Sequence, residues 1–489
     1  MQFLLNQSPV TLDEFAPDTT LLEFLRTERV QRGSKEGCAS GDCGACTVVL
    51  AEAVNGQLRY RSINSCITYL GAVENCQVIT VEGISPNTSE LHPIQQVMVD
   101  QHGSQCGFCT PGFVMSLFAM MHQPPQKSSK ELPPLETINH ALGGNLCRCT
   151  GYRPIIDAAK ALLANPVQDQ FDLRAAATIK QLQSFIHAQT SNPSTESDCS
   201  FFAVPKTVKQ LLDLLAEHPD ARLVAGSTDL ALETTQQLRN LPKLIHTAKV
   251  AELRRIEEQD DQVIIGAAVT YSEAEPILVK HFPAIQGLLH RLGSLQVRNQ
   301  GTLGGNIANA SPIGDMPPVL LALNARLILR SGKGVRELPI DQFFTAYRQT
   351  ALNPGECIES IILPKPSVNS FLRIYKLSKR LDDDISAVCA AIHLTLKDDR
   401  VLSARLGFGG MAATPARALQ AENALIGKPL TEAGIAEAQE ALAQDFSPLS
   451  DVRASATYRL LSAKNLLLRA VLEYTATQSL EVMHYAHLD

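Results

Sequence analysis

The hydrophobic pattern changes period several times along the chain, and each change marks a candidate domain boundary. Thr47-Val48-Val49-Leu50 and Val78-Ile79-Thr80-Val81 are β-branched apolar runs that predict strands, and residues 20–29 predict a helix packed across them. Residues 1–85 are therefore expected to form a small β-rich domain. From residue 86 to 165 the pattern turns helical. His92-Pro93 opens one helix and Thr110-Pro111 a second, each with proline early, where its missing N–H costs nothing. Residues 135–142 predict a third, ended by Gly143-Gly144, and residues 154–164 a fourth. Residues 166–200 contain Ser191-Asn192-Pro193-Ser194 and few core positions apart from one short helix near 179–186, so they are expected to be a linker.

An α/β pattern then covers 201–370. A helix over 208–217 precedes the strand Arg222-Leu223-Val224, and further strands are expected at 263–265, 325–329 and 359–363. The last segment, 371–489, predicts strands near 387–396 and 404–408, then helices rich in Ala and Leu. No tandem repeat is visible.

The totals narrow the function classes. At about 150 residues per domain, 489 residues suggest three or four domains. With 45% hydrophobic and 19% charged residues the composition is that of an ordinary soluble globular protein. A net charge of −7 argues against nucleic-acid binding, which needs a basic footprint. The start has no signal-peptide pattern, and no run reaches the ~18–20 apolar residues of a membrane span. Nine of the twelve cysteines precede residue 150. Without a signal, that bias points to metal ligation in a reducing cytoplasm rather than to disulfides.

Cys38, Cys43 and Cys46 have the spacing C-x4-C-x2-C, with Cys66 following, which is the plant-type ligand pattern of a 2Fe–2S cluster. Gly37, Gly41 and Gly44 let this loop wrap and aim N–H groups at sulfur. The competing reading is a zinc site, which usually shows repeated C-x2–4-C pairs. With the surrounding order of strands and helix, the segment suits a ferredoxin-like fold. Cys106 and Cys109 form a C-x2-C pair, and Cys147 and Cys149 a C-x-C pair. Each pair runs into a helix start, so two helix N-termini are expected to face one anionic centre, a second cluster, with Arg148 as counter-charge. Two bound clusters, at about −2 each with their thiolates, would take the chain to about −11. Cys76, Cys199, Cys357 and Cys389 lack partners at ligand spacing and are expected to be ordinary thiols.

Leu223, Val224, Ala225, Gly226, Ser227, Thr228 and Asp229 predict a strand, a tight turn and a helix start, which could offer N–H groups to a pyrophosphate. A second loop, residues 301–315, is crowded with glycines and small polar side chains. Taken singly, either is better read as a structural turn. There is no G-x-G-x-x-G and no P-loop, so neither nucleotide fold is supported. Gly407-Phe408-Gly409-Gly410 suggests a strand bend.

Taken together, the plant-type cysteine set, the C-x2-C…C-x-C helical segment, the linker, A-G-S-T-D at 225–229 and G-G-N-x-A-N-x-S-P-x-G-D at 304–315 resemble the molybdenum hydroxylases over essentially the whole chain. Lacking a molybdenum domain, the chain is similar to a small iron–sulfur flavoprotein subunit of that family. The resemblance implies an α+β multidomain architecture. Its parts would be a β-grasp 2Fe–2S ferredoxin-like domain (1–85), a four-helix 2Fe–2S domain (86–165), a vanillyl-alcohol-oxidase-like FAD domain (201–370) and a C-terminal α+β flavoprotein domain (371–489). It implies that FAD lies on residues 223–229 and on Thr302, Gly305, Asn306, Asn309, Ser311 and Asp315. Lys376 would stand beside the flavin, and the Asp382-Asp383-Asp384 loop near its ring, where NAD⁺ would dock. Leu292 stands where animal members carry an aromatic, and Ser40 where a glutamate is common.

The same resemblance implies a mechanism. A large molybdopterin-bearing partner would oxidise hypoxanthine to xanthine and xanthine to urate, in a heterotetramer of two small and two large chains. This chain would carry electrons from the helical-domain cluster to the plant-type cluster, then to FAD and to NAD⁺, with no catalytic acid–base pair of its own. Alternatives keep the fold with carbon monoxide or an N-heterocycle as the partner's substrate, or make the chain a stand-alone electron-transfer module.

Overall fold

The computed structural model of the chain describes residues 1–87, 89–123, 132–165, 168–188 and 200–476. Two compact units divide it: Met1–Ala251 with Thr270–Ser272 and Gly293–Thr302, and Glu252–Val269 with Glu273–Leu292 and Leu303–Asp489. These units do not follow the boundaries expected near residues 200 and 370. Two short segments, 270–272 and 293–302, belong to the first unit although the residues around them belong to the second.

In the first unit, β1 (Gln2–Leu5), β2 (Ser8–Thr11), β3 (Thr47–Val54), β4 (Gln57–Asn64) and β5 (Gln77–Ile79) form one sheet in the order β2-β1-β5-β3-β4. The β1–β5 pair is parallel and the other pairs antiparallel. The period-2 rule explains why β3 is apolar without alternation. Val48 and Leu50 enter the core with Phe3, Phe24 and Leu25, while Val49 and Ala51 on the opposite face pack with Phe113 and Leu117. A strand covered on both faces has no polar side. The helix expected over 20–29 is Leu21–Glu23 continued as the π-turn Phe24–Glu28.

The helical segment contains Pro93–Asp100, Thr110–Met121, Leu135–Leu142 and Arg153–Ala164. Thr110–Met121 is buried from Gly112 to Met121, which makes it the central helix. The segment expected to be a linker is largely a helix, Gln170–Ala188, much longer than the short one anticipated. Its Leu182 and Phe185 bury against Leu4, with Ala53 and Leu58 beside them, and these spaced contacts offset the weak local pattern. Cys199 lies outside the described residues. Further on, Phe201–Ala203, Lys243–His246 and Arg222–Val224 form a parallel sheet next to helix Val208–Glu217.

The start of helix Gln170–Ala188 is fixed by a buried polar cluster. Asp169 Oδ1 accepts from the N–H groups of Phe171 (2.8 Å) and Asp172 (3.1 Å). Its Oδ2 lies 3.0 Å from His92 Nε2 and 3.1 Å from His122 Nε2. Burial opposes ionisation of Asp169, but the hydrogen bonds from His122 and His92 hold its carboxyl below the ordinary aspartate range.

In the second unit, an antiparallel sheet runs Gly334–Pro339, Arg326–Ser331, Cys357–Pro364, Gln262–Gly266, Ile256–Glu258. Another joins Ser370–Leu377, Val388–Lys397, Arg400–Gly409 and Ala416–Arg417, and buries its apolar face under Glu432–Asp445 and Ala456–Thr475. The expected strands are present within a few residues. The strand Ser370–Leu377 and the helices Tyr271–His281 and Met316–Ala322 were not anticipated. Gly407 lies within a strand and not at a bend, and it is glycine there because a Cβ would strike the Pro318 carbonyl; of these glycines only Gly410, at φ +78°, takes the conformation of a bend. Among the described residues no helix is long and apolar enough to cross a membrane.

Asp169→Ala should lower stability by about 3–5 kcal/mol, because it strands buried imidazoles and uncaps the helix. In the unsubstituted chain the depressed carboxyl contributes stability that is fully present above its unfolded value of about 3.9 and is lost as pH falls below it. Denaturant titration between pH 7 and pH 3 measures both; equal acid sensitivity in the variant would refute the assignment.

Candidate functional site

The sheet and helices bring the cysteines of each set together. In the first set Cys46 and Cys66, far apart in sequence, have sulfurs 3.3 Å apart. Cys38 has Cys43 and Cys66 as its thiol neighbours, so the sulfurs run Cys43–Cys38–Cys66–Cys46. Cys46 and Cys66 are buried, and Cys38 and Cys43 are half-buried. The loop is built for sulfur. The N–H groups of Ser40 and Cys43 each donate to Cys38 Sγ at 3.4 Å, and Asn64 Nδ2 holds the Gly41 carbonyl at 2.7 Å. Gly41 (φ +83°) and Gly44 (φ +67°) supply the left-handed turns.

The second set pairs Cys106 with Cys149 and Cys109 with Cys147. Cys147 Sγ accepts from Thr150 N (3.4 Å) and Thr150 Oγ1 (3.1 Å). Helix Thr110–Met121 starts directly after Cys109, as the sequence suggested. The other helix begins only at Arg153, after Tyr152 in a left-handed turn at φ 67°. Tyr152 Oη accepts from Cys147 N at 2.9 Å, so this strained residue is tied to the sulfur loop. Cys106 and Cys149 are exposed, unlike any cysteine of the first set, and Arg148 is exposed as well.

The thiols show what each set lacks by itself. Hydrogen bonding between neighbours pushes Cys38 and Cys46 down and Cys43 and Cys66 up. In the second set, burial and then the Cys147 neighbour push Cys109 up to about 12. The Phe108 N–H and the Cys149 neighbour lower Cys106, and Cys149 itself is raised by Cys106. Thiolates this close repel one another, so full ionisation needs cationic metal among them. The donor set fits an iron–sulfur cluster. Cys76, Cys357 and Cys389 are buried thiols apart from both sets, and burial raises each of them.

Of the candidate flavin residues, 223–229 and Thr302 fall in the first unit and the others in the second. In the first, Gly226 approaches the backbone of Gln300 and Gly301 so closely that no Cβ fits, and a Cβ on Gly301 would lie 3.4 Å from Thr228 Oγ1. Residues 223–229 and Thr302 are thus gathered, but the glycine is required by the neighbouring chain itself. Ser227 (φ 57°) donates its Oγ to Ile67 O at 2.5 Å, beside Cys66. Gln300 Nε2 donates to Thr68 Oγ1 at 2.8 Å, Thr235 Oγ1 to Ala39 O at 2.7 Å and Gln236 Nε2 to Cys38 O at 3.0 Å. The loop that would hold flavin is therefore hydrogen-bonded to the segments carrying Cys38 and Cys66. Sequence reasoning did not find these contacts, which join residues more than 150 positions apart.

In the second unit, Leu303–Ala308 is a short helix where a loop was expected, and it carries Gly305 and Asn306. Asn306 Oδ1 is buried with no hydrogen-bond partner, which fits a ligand donor. Asn309 follows this helix, and Ser311 Oγ accepts from Ile313 N at 3.4 Å. Lys376 Nζ donates to Asp315 Oδ2 (2.7 Å) and Arg291 O (2.8 Å), and Ser386 Oγ donates to Asp315 Oδ1 (2.5 Å). Lys376 is thus a buried ammonium with two of its three donors engaged.

Comparison with known proteins adds the family context. Four family profiles match in sequence: a 2Fe-2S iron-sulfur cluster binding domain (3–71), a [2Fe-2S] binding domain (80–160), the FAD binding domain in molybdopterin dehydrogenase (195–366) and the CO dehydrogenase flavoprotein C-terminal domain (373–474). The chain is 36% identical to xanthine dehydrogenase of Emericella nidulans over 94% of its own length and 37% of that protein. It is 32% identical to xanthine dehydrogenase/oxidase of Mus musculus, over 91% of its own length and 36% of that protein. It thus spans little more than a third of these relatives. Among solved structures it is similar to carbon monoxide dehydrogenase from Hydrogenophaga pseudoflava (TM-score 0.54, 29% identity, 56% of this chain and 96% of that one). It is also similar to quinoline 2-oxidoreductase from Pseudomonas putida 86 (TM-score 0.52, 28% identity, 56% of this chain and 96% of that one).

Cys147→Ser should abolish the paramagnetic signal of one reduced cluster and leave the other; loss of both signals, or of neither, would refute two independent sites. Gly226→Val should displace the Gln300–Gly301 backbone and release FAD while iron stays bound. Flavin absorbance and iron analysis on the same preparation check this, and a variant that retains full flavin would refute the loop assignment.

Proposed function

The chain belongs to the molybdenum hydroxylase family, and from that premise we propose that it is the electron-transfer subunit of a xanthine dehydrogenase. In this reading it takes electrons from a molybdenum centre on a larger partner chain and delivers them to NAD⁺. The observation that carries the reading is the order of the sites. Cys106 and Cys149 are exposed, and the segment before Cys147 meets the first sulfur loop through Leu146 N–H to Cys43 O (3.0 Å). The first loop in turn meets residues 227–236 through Ile67, Cys38 and Ala39. That order runs from the surface, where a partner can dock, to the candidate flavin loop.

Bound FAD would supply the exchange between one-electron transfer along the clusters and two-electron hydride chemistry at NAD⁺. The chain's own residues position and tune. Cys38, Cys43, Cys46 and Cys66 would hold one cluster, and Cys106, Cys109, Cys147 and Cys149 the other. The N–H donors of Ser40, Cys43 and Thr150 offset sulfur charge and so set potentials. Leu223, Val224, Ala225, Gly226, Ser227, Thr228, Asp229 and Thr302 would follow the FAD pyrophosphate, with Gly305, Asn306, Asn309, Ser311 and Asp315 along its chain. Asp315 and the Arg291 carbonyl fix the Lys376 ammonium, whose third N–H would face the flavin and favour its anionic reduced form. Purine substrates are favoured over carbon monoxide or quinoline because the xanthine dehydrogenases match at 36% and 32% identity along nearly the whole chain. The solved carbon monoxide and quinoline enzymes match at 29% and 28% over little more than half.

The test is what the purified chain does alone. NADH should bleach its flavin and drive ferricyanide reduction, while xanthine should do nothing until a molybdenum-bearing large chain is added. Lys376→Ala should slow the NADH half-reaction, measured by stopped flow, with iron unchanged. Purine oxidation by the isolated chain, or a flavin that NADH cannot reduce even with the partner bound, would refute the proposal.

A further inference from the structure

Four segments meet at one buried polar knot within the first unit. Gln296, fully buried, aims its Nε2 at Asn145 Oδ1 (3.1 Å), Ser116 Oγ (3.2 Å) and Thr47 Oγ1 (3.3 Å). Asn145 Nδ2 donates to Gly44 O (3.1 Å), and Ser116 Oγ donates to Asn145 Oδ1 (2.6 Å). Thr47 Oγ1 donates to Gly44 O (2.6 Å). All four side chains are at most 2% exposed. Each lies next to redox machinery: Gly44 is within the first sulfur loop and Thr47 directly follows it, Asn145 stands two residues before Cys147, Ser116 is on the helix that begins after Cys109, and Gln296 is on the segment leading to Thr302.

The packing shows that the knot is built. A Cβ on Gly44 would strike the Gly144 carbonyl, and one on Gly112 would strike the Gly44 carbonyl and crowd Asn145 Nδ2. A Cβ on Gly144 would strike Gln296 Oε1. Three glycines therefore let two sulfur loops and one helix close on a single amide. Buried polar groups are costly unless paired, and this node pairs all of its side-chain polar atoms but one, Gln296 Oε1. Beside it, Leu146 N–H donates to Cys43 O, which joins a residue adjacent to a second-set cysteine to a first-set cysteine.

We propose that Asn145 and Gln296 are positioning residues that fix the separation of the two clusters and thereby govern electron exchange between them. Asn145 Nδ2 holds the Gly44 carbonyl and Leu146 N–H the Cys43 carbonyl, so two successive peptides of the first sulfur loop are tied to the segment before Cys147, and Gln296 holds Asn145. The step they serve moves one electron: one cluster is oxidised as the other is reduced, and no bond forms or breaks. The inference rests on the cysteine sets being cluster ligands.

The test uses the purified chain with clusters and FAD bound. Iron analysis comes first: well under about four irons per chain in the unsubstituted protein would sink the cluster assignment itself. With iron intact, the doubly reduced protein should show magnetic splitting between its clusters. Asn145→Ala should reduce or abolish that splitting and slow internal electron transfer from the second cluster to flavin, with both clusters still bound. Gln296→Met keeps the volume and removes the donor, so it should shift the splitting in the same direction and serves as the test where Asn145→Ala does not accumulate. A variant that melts at lower temperature yet keeps full splitting and an unchanged transfer rate would overturn the inference.

Discussion

Cysteine thiols packed within hydrogen-bonding distance cannot all ionise unless cationic charge sits among them. In both sets the neighbours push each other alternately down and up. The Coulomb cost of adjacent thiolates in a partly buried site exceeds what a few N–H donors return. Metal resolves that conflict, and the rest of the first unit is arranged around the requirement. Left-handed glycines let the loop turn, N–H groups face sulfur, and strand β3 presents apolar side chains on both faces so that the loop at its start is held rigidly.

Rigidity is then passed outward by polar contacts instead of by apolar packing alone. The Ser227, Thr235, Gln236 and Gln300 side chains hydrogen-bond to backbone or side-chain oxygens of the Cys38–Ala39 and Ile67–Thr68 segments. Directional bonds of this kind specify position to a fraction of an ångström, whereas hydrophobic contacts tolerate sliding. For a chain whose proposed work is to keep redox groups at fixed separations, the choice of polar joints is physically apt. The same logic appears in the second unit, where Asp315 fixes Lys376 from one side and Ser386 fixes Asp315 from the other.

The two sets also differ in solvent contact: Cys106 and Cys149 of the second are exposed, whereas Cys46 and Cys66 of the first are buried, and solvent exposure is one of the factors that set a cluster's potential.

By itself the sequence determined those features that depend on local spacing. C-x4-C-x2-C with Cys66 following it, C-x2-C and C-x-C picked out eight cysteines that the fold gathers into two groups. Proline and glycine marked the helical segment closely, and β-branched runs located β3 and the strands of the second unit. Local reasoning missed what depends on partners distant in sequence. Helix Gln170–Ala188 has a weak pattern of its own and is secured by Asp169, His92 and His122 and by Leu182 on the sheet. The need for Gly226 was visible as a turn, but the atom that demands it is the Gln300 carbonyl. Asn145 and Gln296 carried no signal at all, because an amide becomes meaningful only when three loops close around it. Ligand spacing is a covalent property written along the chain; the alignment of one sulfur loop with the other, and of both with residues 223–236, is set by long-range hydrogen bonds that only the tertiary structure decided.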